Sequence, residues 1–472
     1  MSTTIETVPT TGPARPPTGR GASWAALRPL VLRLHFYAGV LVAPFLLVAA
    51  ATGLLYAASW QVEEVVYAHE LSVPVGRAEA PLSQQVAAAR AARPEGKVTS
   101  VRTPEEPGRT TRVLMDVPGL AESTELAVFV DPYTAEVRGA LESYGSSGAL
   151  PLRAWISQLH RHLHLGEPGR IYSELAASWL WVVALGGLLL WFSRRRREAR
   201  AASTRQETGA VTGRRRSLGR HGLVGVWALA GLLFLSATGL TWSKYAGENV
   251  DELRAALGWS TPSLSASSGD HAAHASQGGH SGHSGHGGPG AATAADPAVD
   301  GVARVARGAN LSGPLEMVLP AKPGDAYLVK EVDNTWPQRL DQVTVDPAAE
   351  QVTGQLRFAD HPPAAKLTRW GIDAHMGRLF GLANQIVLAA LAAGLMLLIG
   401  YGYLMWWQRR PTRGFGRAYR RGTWKGVHLG VLAPLAALTV GVGLFVPLLG
   451  ISLGAFLLLD VLLGVRSRLT RR

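Results

Sequence analysis

Apolar runs of about 20 residues, the length that crosses a bilayer, recur along this chain with arginine clusters beside them. They fall at 31–58, 172–193, 221–243, 381–407, 427–445 and 448–465. In lipid a chain must satisfy its backbone groups internally, so the runs predict a polytopic α-helical membrane protein of about six spans. The last apolar stretch, 427–465, is too long for one crossing, and Pro447 in LFVPLLG predicts a helical hairpin there. The formal net charge is +13, but the arginines collect as RRRR at 194–197, RRR at 214–216, RR at 409–410 and RSRLTRR at the C-terminal end. That placement orients helices and gives no reason to invoke nucleic acid. Six spans put both termini on the cytoplasmic side.

The organisation follows from these rules. Residues 1–28, rich in Thr, Pro and Gly, read as a disordered cytoplasmic tail without the order of a signal peptide, so the first span, 29–58, stays as an anchor. An outer segment (59–170), a second span (171–193), a basic cytoplasmic loop (194–220) and a third span (221–243) come next. A second outer segment (244–380), a fourth span (381–407), another basic loop (408–426), the hairpin (427–465) and a cytoplasmic tail (466–472) complete the chain. Cysteine is absent, which excludes disulfides, iron–sulfur clusters, thiolate zinc sites and CxxCH haem attachment. No GxGxxG after a strand, no GKS or GKT loop and no GxSxG at a strand-to-helix turn occurs, so a built-in flavin, nucleotide or serine-hydrolase site is unsupported.

The chain reads as internally duplicated. Both outer segments carry an Ala-rich helical stretch, alternating strands and a VDP turn, in LAVFVDPYTAEVRGAL (126–141) and DQVTVDPAAEQVTGQL (341–356). His35, Gly39, Thr52 and Gly53 in the first span match His221, Gly225, Thr238 and Gly239 in the third without a gap. At 3.6 residues per turn the histidine and its two glycines share a face. Counted back from Arg194 and Arg409, His160 matches His375, Gly166 matches Gly381 and Trp191 matches Trp406. His428 opens a degraded third copy in the fifth span.

Paired histidine stripes with glycines suit a flat tetrapyrrole, which needs two imidazoles from facing helices, a close approach to backbone and dry surroundings. One haem is then expected near the cytoplasmic face between His35 and His221, and a second near the outer face between His160 and His375. A lone histidine at a helix end is usually an interfacial residue or bonded to a carbonyl; recurrence at matched positions is what favours ligands here. In LHRHLHLG, His164 is one turn nearer the membrane and stands as a rival to His160. A continuous helix from His160 to Arg194 would run about 51 Å, beyond a hydrocarbon core of about 30 Å, so His160 needs a projecting helix or a break near Pro168. His428 is either a third-site ligand or an interfacial residue. The stretch DHAAHASQGGHSGHSGHGG (270–288) reads as a flexible outer linker whose His271, His274, His280, His283 and His286 could hold copper, zinc or nickel without fixed geometry. His69 and His361 read as ordinary surface residues.

The segments LRLHFYAGVLVAPFLLVAAATGLLY, LHRHLHLGEPGRIYSELAASWLW, RHGLVGVWALAGLLFLSATGL and WGIDAHMGRLFG resemble those of the PepSY-associated transmembrane family. VDPYTAEV and VDPAAEQV resemble PepSY hairpins, so the resemblance implies two extracytoplasmic α+β PepSY-like domains and extends from about residue 28 to 465. Some members are ferric-siderophore reductases with two b haems. The resemblance therefore implies haem b on His35, His221, His160 and His375, in a multi-pass protein of the bacterial cytoplasmic membrane. Electrons are expected to pass from inside to a ferric chelate (siderophore) or another metal ion outside, making the chain a membrane metalloreductase. Related chains carry a fused flavin reductase module and this one does not, so the donor is expected to be a separate flavoprotein or a quinol. Gly186-Gly187 stands where Thr-Gly is common in the second span, and the His-rich insert is unusual. Two other readings compete: a non-enzymatic envelope binding or regulatory module anchored by its helices, and a metal-handling protein centred on residues 270–288.

Overall fold

A computed structural model of the protein describes residues 20–202, 213–264, 298–322, 324–409 and 423–469. In chain order its first half holds α1 (Arg20–Leu41), α2 (Ala43–Val66), α3 (Ala68–Leu71), α4 (Leu82–Ala92), β1 (Lys97–Arg102), β2 (Thr111–Asp116), β3 (Thr124–Val130), β4 (Val137–Tyr144), α5 (Pro151–His162) and α6 (Glu167–Ala202). Its second half holds α7 (Gly213–Leu240), α8 (Tyr245–Ala256), α9 (Ala298–Gly308), β5 (Leu315–Val318), β6 (Tyr327–Glu331), β7 (Gln342–Asp346), β8 (Gln351–Leu356), α10 (Pro363–His375) and α11 (Gly381–Gln408), followed by α12 (Leu429–Phe445) and α13 (Pro447–Leu469). The chain divides into two compact units. One comprises Met1–Ala43, Val182–Val226 and Gly400–Arg472; the other comprises Pro44–Trp181 and Trp227–Ile399.

Among the described residues five helices are long and apolar enough to cross a membrane: α2, the Glu167–Ala199 part of α6, α7, α11 and the Pro447–Arg466 part of α13. Two features change the six-span expectation. The first apolar run is divided, because Val42 separates α1 from α2 and Pro44 follows, lacking an N–H and crowding the turn before it. The run at 427–445 forms α12, whose 17 residues reach only about 26 Å at 1.5 Å per residue. Helix α1 begins at Arg20 and carries Pro29 inside it, so residues 20–28, expected in a tail, are helical. The hairpin break falls at Val446, just ahead of Pro447, as the sequence predicts.

In the first unit α1 and α13 are joined by a buried ion pair. Arg33 is 0 % exposed and its Nη2 donates to Asp460 Oδ2 at 2.9 Å. Tyr37 on α1 also packs against Phe456 on α13, ring centres 6.2 Å apart.

In the second unit, alternation of side chains along Val-, Met- and Leu-containing strands turns one face of the sheet to a large core. The eight strands form one antiparallel sheet in the order β4-β3-β2-β1-β5-β6-β7-β8. Its two four-stranded halves meet where β1 pairs with β5, from Ser100 opposite Val318 to Arg102 opposite Glu316. One core serves both halves: Val101, Val113, Met115 and Val128 from the first join Leu315, Met317, Val329 and Val343 from the second, beneath Val86 and Ala89 of α4 and Val299 and Val302 of α9. Asp300 of α9 accepts the Leu82 N–H at 2.7 Å, capping α4 across the halves. The outer segments therefore share one sheet and one core.

The two VDP hairpins are built alike. Asp131 Oδ1 accepts from the N–H of Tyr133 (2.8 Å), and Asp346 Oδ1 accepts from that of Ala348 (2.8 Å). Each turn closes through a left-handed residue, Ala135 (φ 58°) or Glu350 (φ 50°), and each ladder shifts register at the same place, Phe129/Val130 or Thr344/Val345.

On the other face of the sheet, Leu71, Leu114, Ala127, Phe129 and Leu150 form a smaller core. Here α5 is fixed to the end of α2. Arg153, 2 % exposed, makes a two-pronged pair with Glu63 (both contacts 3.0 Å), and its guanidinium lies 3.9 Å from the Trp60 ring centre. Removing one member of a buried pair leaves a charge uncompensated and costs about 3–5 kcal/mol, whereas exposed pairs contribute about 0–1 kcal/mol. Glu63→Ala is therefore expected to lower the denaturation midpoint of the purified protein markedly, while Glu350→Gln, which breaks the exposed pair with Arg304, leaves it nearly unchanged. Unfolding followed by tryptophan fluorescence checks both.

Candidate functional site

Helices α1 and α7 of the first unit bring His35 and His221 together, with ring centres 6.3 Å apart and planes at 77°. His35 Nδ1 lies 3.0 Å from the carbonyl oxygen of Val183 on α6. A carbonyl only accepts, so Nδ1 carries the proton and Nε2 keeps its lone pair. The glycines of α6 make room for this ring: a Cβ on Gly187 would sit 3.0 Å from His35 Cε1, and one on Gly186 3.7 Å from Nδ1. One turn along α1 from His35, a Cβ on Gly39 would meet nothing within 4 Å. Tyr403 on α11 donates to the Val40 carbonyl at 2.9 Å and fixes the same stretch of α1.

The second pair lies in the second unit, on the amphipathic helices α5 and α10. Proline at the first position of each starts the helix, Pro151 and Pro363, because its missing N–H has no role there. His160 Nδ1 is 2.9 Å from Thr52 Oγ1 on α2, and His375 Nδ1 is 2.6 Å from Thr238 Oγ1 on α7. Gly53 lies under the first ring, where a Cβ would approach His160 Cε1 to 3.2 Å; Gly239 lies under the second, at 4.0 Å from His375 Cε1. Trp242 packs edge-on against His375 with ring centres 5.2 Å apart. Burial favours the neutral imidazole. It lowers the pKa of His160, against a hydrogen bond to the Ala49 backbone that raises it, and the pKa of His375 is pushed down to about 3, by burial first and by charge on His160 second.

The other histidines have different roles. The helix carrying His160 ends at His162, and Leu163 (φ 54°), His164 (φ 54°) and Gly166 (φ 62°) turn the chain before α6 begins at Glu167. That break is the one placed near Pro168 from the sequence. Gly169 is required by its close approach, since a Cβ there would lie 1.8 Å from the His162 carbonyl oxygen. His164 stacks on Trp155, ring centres 4.9 Å apart, and bonds its carbonyl through Nε2 at 3.0 Å. His428 caps α12 by accepting the Gly430 N–H on Nδ1 at 3.1 Å. His361, read as a surface residue, is buried at 6 % exposure against the edge of Phe358; burial lowers its pKa. His69 bonds Arg138 at 3.0 Å. His271, His274, His280, His283 and His286 lie outside the described residues, among which no group of three or more His, Cys, Asp or Glu could hold a metal ion.

Bis-imidazole haem is a testable fit. With metal–nitrogen bonds of about 2 Å, imidazoles on opposite faces of one iron have ring centres about 6 Å apart. The separation at His35 and His221 is of that size. A plain edge-to-face ring pair has a similar spacing, so the nitrogens discriminate. Ligating histidines present one nitrogen to the metal and hold the other by a hydrogen bond to carbonyl or hydroxyl. His35, His160 and His375 each have Nδ1 held in this way, and the residues fit the group.

Sequence reasoning paired the histidines and aligned Thr52 with Thr238, yet it gave these threonines no role. Their contact is with the histidine of another helix. Matched Thr-Gly at equal offsets was the available clue. The Arg33–Asp460 pair also went unread, although a lone aspartate in the last apolar run was visible.

Spanning helices joined to an antiparallel sheet domain define a multi-pass membrane protein. The PepSY-associated TM region family matches residues 32–409, most of the chain, and the protein belongs to that family. No curated protein matches the chain. The α12–α13 hairpin lies beyond the matched segment, and Arg33–Asp460 is its buried polar tie to α1. Asp460→Leu is expected to leave a buried guanidinium without its carboxylate and lower the thermal midpoint in detergent, and Arg33→Met with Asp460→Leu to restore most of it.

Proposed function

We propose that this protein is a transmembrane electron carrier that binds b-type haem at His35 with His221 and at His160 with His375, and that it reduces a ferric chelate or another metal ion outside. The observation that carries the reading is the nitrogen assignment: in three of the four histidines Nδ1 is engaged within the protein and Nε2 is left to bind metal. Family membership supports it, because the matched segment contains all four histidines.

Haem held by these imidazoles would supply a one-electron couple, Fe(III)/Fe(II), that the ligands and burial tune. The chain's residues do the rest. The Val183 carbonyl orients the His35 ring, Gly186 and Gly187 leave it space, and the hydroxyls of Thr52 and Thr238 orient His160 and His375. Haem held by His35 with His221 would accept electrons from a cytoplasmic flavoprotein or a quinol, and haem held by His160 with His375 would supply the one electron that converts Fe(III) outside to Fe(II). Hard oxygen chelators hold the less charged Fe(II) less tightly, so reduction frees the iron for import. The arginine clusters support a bacterial cytoplasmic-membrane location with both termini on the cytoplasmic side.

Protein purified from haem-replete cells is expected to carry two b haems per chain with bis-imidazole absorption. His35→Ala with His221→Ala leaves one, and His160→Ala with His375→Ala leaves the other. A colourless preparation would overturn the reading. Gly187→Val is expected to push the His35 ring from its site and cost one of the two haems, measured as haem stoichiometry, whereas Gly441→Ala on α12, where an added Cβ would meet nothing within 4 Å, retains both.

A further inference from the structure

We infer that Thr52 and Thr238 are positioning residues that fix the tautomer of His160 and His375 and thereby set the ferric affinity and the potential of the outer haem. The inference rests on the haem reading above for its consequence, and on the hydrogen-bond geometry alone for its first step.

The step concerns one proton. Thr52 Oγ1 lies 2.8 Å from the Val48 carbonyl oxygen one turn back along α2, and Thr238 Oγ1 lies 2.7 Å from the Phe234 carbonyl oxygen on α7. Two oxygens that close need a hydrogen between them, and only the hydroxyl has one to give. Each threonine therefore donates to its own helix and presents only oxygen lone pairs to the histidine. The facing nitrogen, His160 Nδ1 at 2.9 Å or His375 Nδ1 at 2.6 Å, has to be the donor. Both imidazoles are thus the Nδ1–H tautomer, with Nε2 bare. Were either threonine to turn its hydrogen toward histidine, two oxygens would face each other unbridged and Nε2 would carry a proton where metal binds.

The chain from carbonyl through hydroxyl to imidazole is the same in both copies. Each link polarises the next, drawing the Nδ1 proton outward and making Nε2 a stronger donor. A stronger donor favours Fe(III) over Fe(II), so these threonines lower the outer potential. His35 achieves the same tautomer with the backbone carbonyl of Val183, which no side-chain change removes. That contrast makes the inference selective: altering the threonines moves only one of two centres.

The tests are Thr52→Val and Thr238→Val, with Thr52→Ser and Thr238→Ser as conservative partners, in the full-length protein. In haem-free protein, ¹⁵N magnetic resonance of labelled histidine is expected to give the Nδ1–H tautomer for His160 and His375, and valine at 52 or 238 to mix the tautomers of the facing ring. In haem-loaded protein, each valine is expected to raise the outer potential and to weaken outer haem binding roughly 10- to 100-fold, the usual loss with such a partner. A tenfold loss falling on the ferric state alone would read as about 59 mV. Serine is expected to restore both quantities. An Nε2–H tautomer in wild type, or two-haem valine variants with unaltered potentials, would overturn the inference. Wild type with the Nδ1–H tautomer but no haem would instead overturn the functional reading and leave the tautomer assignment standing.

Discussion

An imidazole has two nitrogens, and in a dry interior both must be accounted for. The protein depends on how it treats Nδ1. At His35 a helix carbonyl accepts its hydrogen bond, and at His160 and His375 a threonine hydroxyl oxygen does so, its own hydrogen given to its own helix. A hydrogen bond of this kind adds about 0.5–1.5 kcal/mol, a small part of the folding free energy. Its larger effect is on direction, since it selects a tautomer and aims the other nitrogen.

The rest of the fold holds those partners in place. Histidines on long helices can share a pair directly, as His35 on α1 and His221 on α7 do. His160 and His375 stand on short amphipathic helices, which need anchoring from elsewhere. Arg153, one helical face along α5 from His160, supplies it through Glu63 on α2, the helix that carries Thr52. Asp373, two residues before His375 and 1 % exposed, receives Arg369 at 2.7 Å and the Gln338 amide at 2.6 Å. The sheet domain buries one core across its two halves, and α5 packs against β4 at its edge. A shared sheet with symmetrical hairpins explains why matched residues reappear at both ends of the His160–His375 arrangement.

Much of this was legible in the residues. Length and hydropathy gave the spanning helices, the Asp-Pro turns gave both hairpins, and equal spacing from His35 and His221 paired the histidines. What escaped had a physical cause. Pro44 interrupts a continuous apolar run, and hydropathy does not register a lost backbone donor. Whether two outer segments form separate sheets or one depends on the pairing of β1 with β5, a long-range choice that alternation cannot encode. Threonine in an apolar helix usually bonds its own backbone, and nothing local announces that its oxygen also meets a histidine more than a hundred residues away. Burial of His361 likewise follows from packing against Phe358 and not from its polar neighbours in the chain.

The central claim is that pairs of imidazoles, oriented through Nδ1, bind one iron between them. Low-temperature electron paramagnetic resonance of the oxidised protein tests it most directly. The account predicts low-spin ferric iron at two centres, with a strongly anisotropic spectrum from the His35–His221 pair because its ring planes are close to perpendicular. High-spin iron alone, or no haem spectrum in protein from haem-replete cells, would contradict it.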